Sequence, residues 1–236
     1  MLNFMGIGAQ KAGTTWLYER LAAHPQIGFP GGKEVHYWDA RATLPESWYC
    51  ELFATDDGRV NGDITPAYAT LEPPVVDRIG ALFPDLRIIF LLRNPIERAW
   101  SAALMALGRA ELTLDDASDA WFLDHFRSRG SLLRGDYGRT LDIWGGVFPA
   151  SALLVLFYED LCRRPTDLLH RVATFLGVTP DPSWTPQRLA APVFAGPGAP
   201  LRPTLRKPLL ELYRPRIVAL EARLGRDLRH WYGDGE

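Results

Sequence analysis

Residues 4–18 constrain this chain more than any other stretch. Phe4-Met5-Gly6-Ile7 is an apolar run, Gly8 to Gly13 is a glycine-bracketed turn holding Lys11, and Thr14-Thr15-Trp16-Leu17 opens a helical pattern. The order is strand, loop, helix. The first N–H groups of a helix lack intrahelical partners and sit at the positive end of its dipole, so such a junction favours an anion. Gly8 and Gly13 let the backbone pass close to a phosphate, and Lys11 adds a formal charge.

The spacing also excludes one kind of phosphate loop. A nucleotide-hydrolase loop runs G-x-x-x-x-G-K-[ST]. Gly8 and Gly13 have that separation, but Thr14 stands where the lysine is required. The lysine lies before the second glycine instead. In this respect Lys11-Ala12-Gly13-Thr14-Thr15-Trp16 resembles the 5′-phosphosulfate loop of sulfotransferases, which take a sulfuryl group from 3′-phosphoadenosine 5′-phosphosulfate (PAPS) and leave 3′-phosphoadenosine 5′-phosphate (PAP).

Two further segments extend the resemblance. Arg87-Ile88-Ile89-Phe90-Leu91-Leu92 is a continuous apolar run behind one arginine, as expected for a strand buried on both faces. Arg93-Asn94-Pro95 follows it, and Ser101 lies on the helix that Pro95 opens. Ligands of open α/β sheets bind outside the carboxyl ends of strands. Arg93 and Ser101 at this spacing resemble the family's 3′-phosphate site, where arginine offers a planar fork of donors and serine one more. Val155-Leu156-Phe157-Tyr158-Glu159-Asp160-Leu161 resembles the family's Y-E-D-L segment, whose tyrosine lies by the adenine. Trp16 falls at the family's adenine-stacking position. Both aromatics read equally as core, Lys11 and Thr14 as a plain helix start, and Arg93 as a partner of Glu97 one turn on. Two anion sites, neither a triphosphate loop, favour PAPS over ATP.

The reaction needs a group to take the acceptor's hydroxyl proton. Lys33-Glu34-Val35-His36-Tyr37-Trp38-Asp39 resembles the K-E-x-H-[FY]-[FW] stretch of carbohydrate sulfotransferases, especially the heparan sulfate 3-O type. The resemblance puts the base at Glu34, with His36 as the alternative. Alternation would place both on one side of an extended segment. Lys11 joins them as a catalytic candidate. Asp63-Ile64-Thr65-Pro66-Ala67-Tyr68 resembles the family's K-T-P-x-Y stretch, with Ile64 replacing the lysine. That loss counts against a strongly anionic glycosaminoglycan acceptor. Arg202, Arg206 and Lys207, in a proline-punctuated basic stretch, are candidates for a loop closing over the 3′-phosphate, or else a solvated linker.

Size and composition set the bounds. A chain of 236 residues suits one domain, expected over 1–236, and 47% hydrophobic with 23% charged residues is ordinary for a globule. Net charge −2 gives no basic field for nucleic acid. The partner expected is a small-molecule or carbohydrate acceptor. Cys50 and Cys162 have no metal-ligand spacing, no histidine pair has one, and no metal is expected. No apolar run approaches a membrane span, and no signal-peptide pattern precedes the first strand. The expectation is therefore cytoplasmic, though a chain whose anchor had been removed would read the same.

The expected fold is α/β, a single domain with a central, mainly parallel sheet flanked by helices and a P-loop-like phosphosulfate loop. Strands are predicted near 3–8, 87–92 and 151–157. Helices are predicted near 14–23, 73–83, 96–108, 113–128, 137–148 and 165–176, with a last one from Pro208. Arg129-Gly130-Ser131 and Arg134-Gly135-Asp136-Tyr137-Gly138 read as flexible turns. Three functions remain in play: a PAPS-dependent sulfotransferase first, then a nucleotide kinase, then a non-catalytic nucleotide-binding protein on the same fold.

Overall fold

A computed structural model describes residues 1–189 and 198–233. The chain order is β1 (Leu2–Gly8), α1 (Thr14–Ala22), β2 (Ile27–Gly28), α2 (Tyr37–Ala40), α3 (Glu46–Leu52), β3 (Val60–Ile64), α4 (Pro73–Leu82) and β4 (Arg87–Leu92). Then come α5 (Pro95–Arg109), α6 (Asp119–Arg127), α7 (Arg129–Gly135), α8 (Tyr137–Val147), β5 (Leu153–Phe157), α9 (Tyr158–Arg163), α10 (Pro165–Leu176), α11 (Pro186–Leu189) and α12 (Pro203–Leu224). The residues group into two compact units, Met1–Leu92 with Asp142–Phe194, and Arg93–Leu141 with Ala195–Glu236.

The first unit holds a five-stranded sheet in the order β2-β3-β1-β4-β5. Every pairing is parallel. The fold is thus the expected α/β type. Parallel strands covered on both faces need apolar side chains throughout, and β1 and β4 supply them. β1 is central, with β3 on one side and β4 on the other. The connection after β1 runs toward β2 and the one after β4 runs the opposite way to β5, so the carboxyl ends of β1 and β4 flank the topological switch point where open sheets form a ligand crevice. The loop carrying Lys11 starts there. Gly62 of β3 is required by packing: a Cβ on it would lie 2.1 Å from the Phe4 ring.

Local rules set several helices as predicted. α10 opens on Pro165 and ends at Gly177 in the left-handed conformation, φ 73°. Its buried stripe is Leu168, Leu169, Val172, Ala173 and Leu176. α4 opens on Pro73 and buries Val76 and Ile79.

The second unit is helical, and the sequence expectation needs correcting there. The helix expected over 113–128 is only α6, capped by Ser118, whose side chain accepts from the Trp121 N–H. Thr113 and Asp116 ahead of it close a local turn instead. The stretch expected as turns holds α7, capped by Ser128. α12 starts at Pro203 rather than Pro208 and runs through Pro208 and Pro215. An interior proline costs about 3 kcal/mol. Leu205, Leu209, Tyr213, Ile217 and Leu220 are buried along one face of α12, each worth roughly 1.5–3 kcal/mol, so packing outweighs the two breaks.

Candidate active site

At the carboxyl end of β1 the Ala9 N–H donates to the Leu91 carbonyl at 2.7 Å, tying the loop to β4. Lys11 (φ 67°) and Gly13 (φ 94°) are both left-handed, which turns the chain sharply into α1. Gly13 is the N-cap, no side chain caps the helix, and no acidic residue stands in its first turn. A Cβ at Gly13 would meet Leu161 at 2.9 Å and the Tyr158 ring at 3.4 Å. The glycine is thus fixed by its dihedral and by the close approach of α9. Tyr158, half-buried, packs against this turn, while Trp16 is buried in the core. Ala12 and Thr14 are buried and Thr15 is half-buried. Thr15 has a specific partner: Lys33 Nζ donates to its Oγ1 at 3.2 Å.

Lys33 links this helix start to the candidate base. Its ammonium also lies 3.2 Å from Glu34 Oε1, and its side chain is only 11% exposed. A solvated Lys33–Glu34 pair, the plain alternative for this stretch, does not describe it. Glu34 Oε2 is 2.9 Å from His36 Nε2, and His36 Nδ1 is 2.9 Å from Asp39 Oδ2. The segment is not the extended run expected. His36 has φ 57° and caps the short α2, and this turn, rather than alternation, brings Glu34 and His36 together. Both imidazole nitrogens face carboxylates, so an N–H on either nitrogen has an acceptor. Glu34 is half-buried between Lys33 and His36.

Behind this segment lies a buried carboxylate whose role the sequence left undecided. Asp63, at the end of β3, accepts from Thr65 Oγ1 (2.7 Å), Tyr49 OH (2.9 Å) and Tyr68 OH (2.9 Å). Burial pushes its carboxyl up to about 6. Burial and the neighbouring Asp63 charge together push the Tyr68 hydroxyl well above the usual phenol range. Ile64 is fully buried and its side chain faces Gly6 of β1, where a Cβ would lie 2.7 Å away. Trp38 and Tyr49 are buried core, with Tyr49 stacked on Tyr37 at 4.8 Å.

In the helical unit, Asn94 caps α5 through Oδ1, which accepts from the Ile96 N–H at 3.0 Å, and Pro95 fills the first turn. Arg93 directly follows β4; its Nε and Nη2 donate to Glu97 Oε2 at 3.1 and 3.0 Å. Its carbonyl accepts from Tyr137 OH at 2.7 Å. Ser101 is half-buried on α5. Arg202 is engaged by Asp119 Oδ1 at 2.7 Å and the Leu114 carbonyl at 2.6 Å, and stacks over Phe122. Arg206 donates to the Gly233 carbonyl at 3.1 Å, and Lys207 is exposed on α12. The basic stretch is therefore a helix start with specific ties rather than a loose linker.

Residues 3–189 match the family model of the sulfotransferase domain. The chain belongs to the sulfotransferase family. Similar proteins include human heparan sulfate glucosamine 3-O-sulfotransferase 3B1, 32% identical over 181 residues, covering 73% of this chain and 45% of that protein. Human bifunctional heparan sulfate N-deacetylase/N-sulfotransferase 2 is 28% identical over 201 residues, covering 78% of this chain and 23% of that protein. The chain thus spans less than half the length of these curated relatives. A crystal structure of a sulfotransferase from Alicyclobacillus acidocaldarius matches with a TM-score of 0.76 at 27% identity over 98% of both chains. The mouse sulfotransferase SULT7A1 complexed with PAP shares the fold, with a TM-score of 0.60 at 16% identity over 95% of this chain and 88% of that one. Membership of this family sets the kinase alternative aside. Among the described residues, no helix is long and apolar enough to cross a membrane.

Proposed function

We propose that this chain transfers a sulfuryl group from PAPS to a carbohydrate hydroxyl. The observation that carries the reading is the chain of contacts from Thr15 in the first turn of α1, through Lys33, to Glu34 and His36. It joins a helix start suited to an anion with a carboxylate suited to take a proton. A donor's 5′-phosphosulfate would lie against Lys11 and the amides of residues 12–16. Those N–H groups and the two lysines would stabilise negative charge growing on the leaving oxygen. Glu34 takes the acceptor's hydroxyl proton as its oxygen bonds to sulfur and the bond from sulfur to the donor phosphate breaks. His36, held by Asp39, keeps the Glu34 carboxylate in place. Arg93 and Ser101 would hold the 3′-phosphate, with Arg206 and Lys207 as further cations and Arg202 in a supporting role. Tyr158 is the adenine-side aromatic. Trp16, buried, is read as the wall behind it. Among the described residues, no group of three or more His, Cys, Asp or Glu side chains is set to hold a metal ion. The work is positioning and charge stabilisation, as in phosphoryl transfer.

The acceptor class rests on the 3-O-sulfotransferase relatives, which act on heparan sulfate by name. Buried Ile64 presents no cation to an anionic acceptor. A neutral or lightly charged sugar fits best. The test is transfer from labelled PAPS to a panel of a heparan-type oligosaccharide, its unsulfated form, 4-nitrophenol and a long-chain alcohol. Labelled product is expected from the unsulfated sugar above all others. Product only from the phenol or the alcohol would overturn the acceptor class.

A further inference from the structure

Three consecutive backbone N–H groups, those of Val35, His36 and Tyr37, point away from the sheet hydrogen-bond ladder and into two side-chain hydroxyls. Val35 and His36 donate to Thr65 Oγ1, at 3.1 and 3.5 Å. Tyr37 donates to Tyr68 OH at 3.0 Å. Each hydroxyl then donates its own proton to Asp63, Thr65 to Oδ1 at 2.7 Å and Tyr68 to Oδ2 at 2.9 Å. Tyr49 adds a third donor on Oδ2 at 2.9 Å. Asp63, Thr65 and Tyr49 are fully buried, as is Tyr68.

From this wiring we infer that Asp63 is a positioning residue for the sulfuryl-transfer step: through Thr65 and Tyr68 it fixes the backbone of residues 35–37, and so the carboxylate of Glu34 and the ring of His36. The inference rests on Glu34 being the base. The direction of the relay makes the requirement chemical. Backbone N–H groups only donate, so Thr65 and Tyr68 must accept from them and pass a proton onward. The terminal group must then accept on both of its oxygens, from three hydroxyls at once. An ionised carboxylate does this. An amide cannot, because its NH2 would face either Thr65 Oγ1, which already takes two backbone N–H groups, or the Tyr68 hydroxyl, which takes one and would lose the acceptor for its own proton, and a buried polar mismatch is expensive. The six hydrogen bonds lie in one unit, and Asp63, Thr65, Tyr49 and Tyr68 at the carboxylate end are fully buried.

The test is amide hydrogen exchange on Asp63→Asn, with PAP binding and transfer from labelled PAPS to the unsulfated heparan-type oligosaccharide read alongside. Exchange at residues 35–37 is expected to rise roughly 10-fold or more, while β1 and β4 stay within about 2-fold. PAP affinity should hold within about 2-fold, and transfer should fall at least about 10-fold. Added to Glu34→Gln, the substitution should cost nothing further, because it acts through that residue. Thr65→Val is the second variant, in case Asp63→Asn does not fold. It should release 35 and 36 while leaving 37, which Tyr68 holds. Unchanged exchange at 35–37 in both variants, or losses from Asp63→Asn and Glu34→Gln that multiply, would overturn the inference. Released amides together with a fully active Glu34→Gln enzyme would overturn the base assignment, and with it the catalytic half of the proposal.

Discussion

Glu34→Gln is expected to lower sulfuryl transfer about 100- to 10,000-fold, the range over which a positioned general base contributes. The amide keeps the size of the carboxylate and a carbonyl oxygen for His36 Nε2, which now lies 2.9 Å from Glu34 Oε2. It has no basicity to take the acceptor proton. Its NH2 would face either Lys33 or His36, so a modest structural cost accompanies the chemical one. PAP binding separates the two. The product nucleotide carries no sulfuryl group and meets no acceptor, so its affinity should stay within about 2-fold of wild type. Single-turnover transfer and calorimetric PAP titration on the same preparation check both halves. A variant that turns over at the wild-type rate would remove Glu34 as base.

Arg93→Ala is expected to weaken PAP binding roughly 10- to 100-fold, corresponding to the loss of one charge-assisted hydrogen-bonding group at about 1.5–3 kcal/mol. The same substitution should barely change the affinity for 5′-AMP, which has no 3′-phosphate. The contrast between the two nucleotides is the readout. Arg93 pairs with Glu97 at the start of α5, and this pair on the surface of its helix contributes little stability by itself. A fall for both nucleotides alike would mean that Arg93 supports the fold rather than the 3′-phosphate.

The parts of the fold that were legible in the sequence are those where local chemistry and tertiary context agree. β4 is apolar and buried from Ile88 to Leu92, β1 is buried along most of its length, and β5, at the sheet edge, is apolar throughout. α10 carries its own start and stop in Pro165 and Gly177. β3 was not legible. Its sequence, Val60-Asn61-Gly62-Asp63-Ile64, holds three residue types that strands disfavour. It is a strand because β1 and β2 pair with it on either side, Asn61 Nδ2 finds Thr55, and Asp63 finds three hydroxyls. α12 shows the reverse conflict. Pro208 reads locally as a helix start, yet burial from Leu205 onward carries the helix through it.

The candidate site divides along the same line. Gly13, Thr14 and Lys11 announce an anion loop by type and order alone, and the structure gives Gly13 the left-handed turn that its position demands. Glu34 and His36 do meet, but through the left-handed turn at His36, which nothing in their spacing reveals. Lys33 reads as a surface charge until its contact with Thr15 is seen. The Asp63 relay was invisible because its hydroxyls come from α3 and from the segment after β3, brought together only by the sheet.

Thermal-shift titration with PAP, 5′-AMP, ADP and ATP tests the proposed use of PAPS as donor. Binding to the folded state alone raises Tm by mass action. PAP at about 100 times its Kd should raise Tm by roughly 5–10 °C for a chain of this size, with distinctly smaller shifts from the other three at equal concentration. A larger shift with ATP, or none with PAP, would contradict the account.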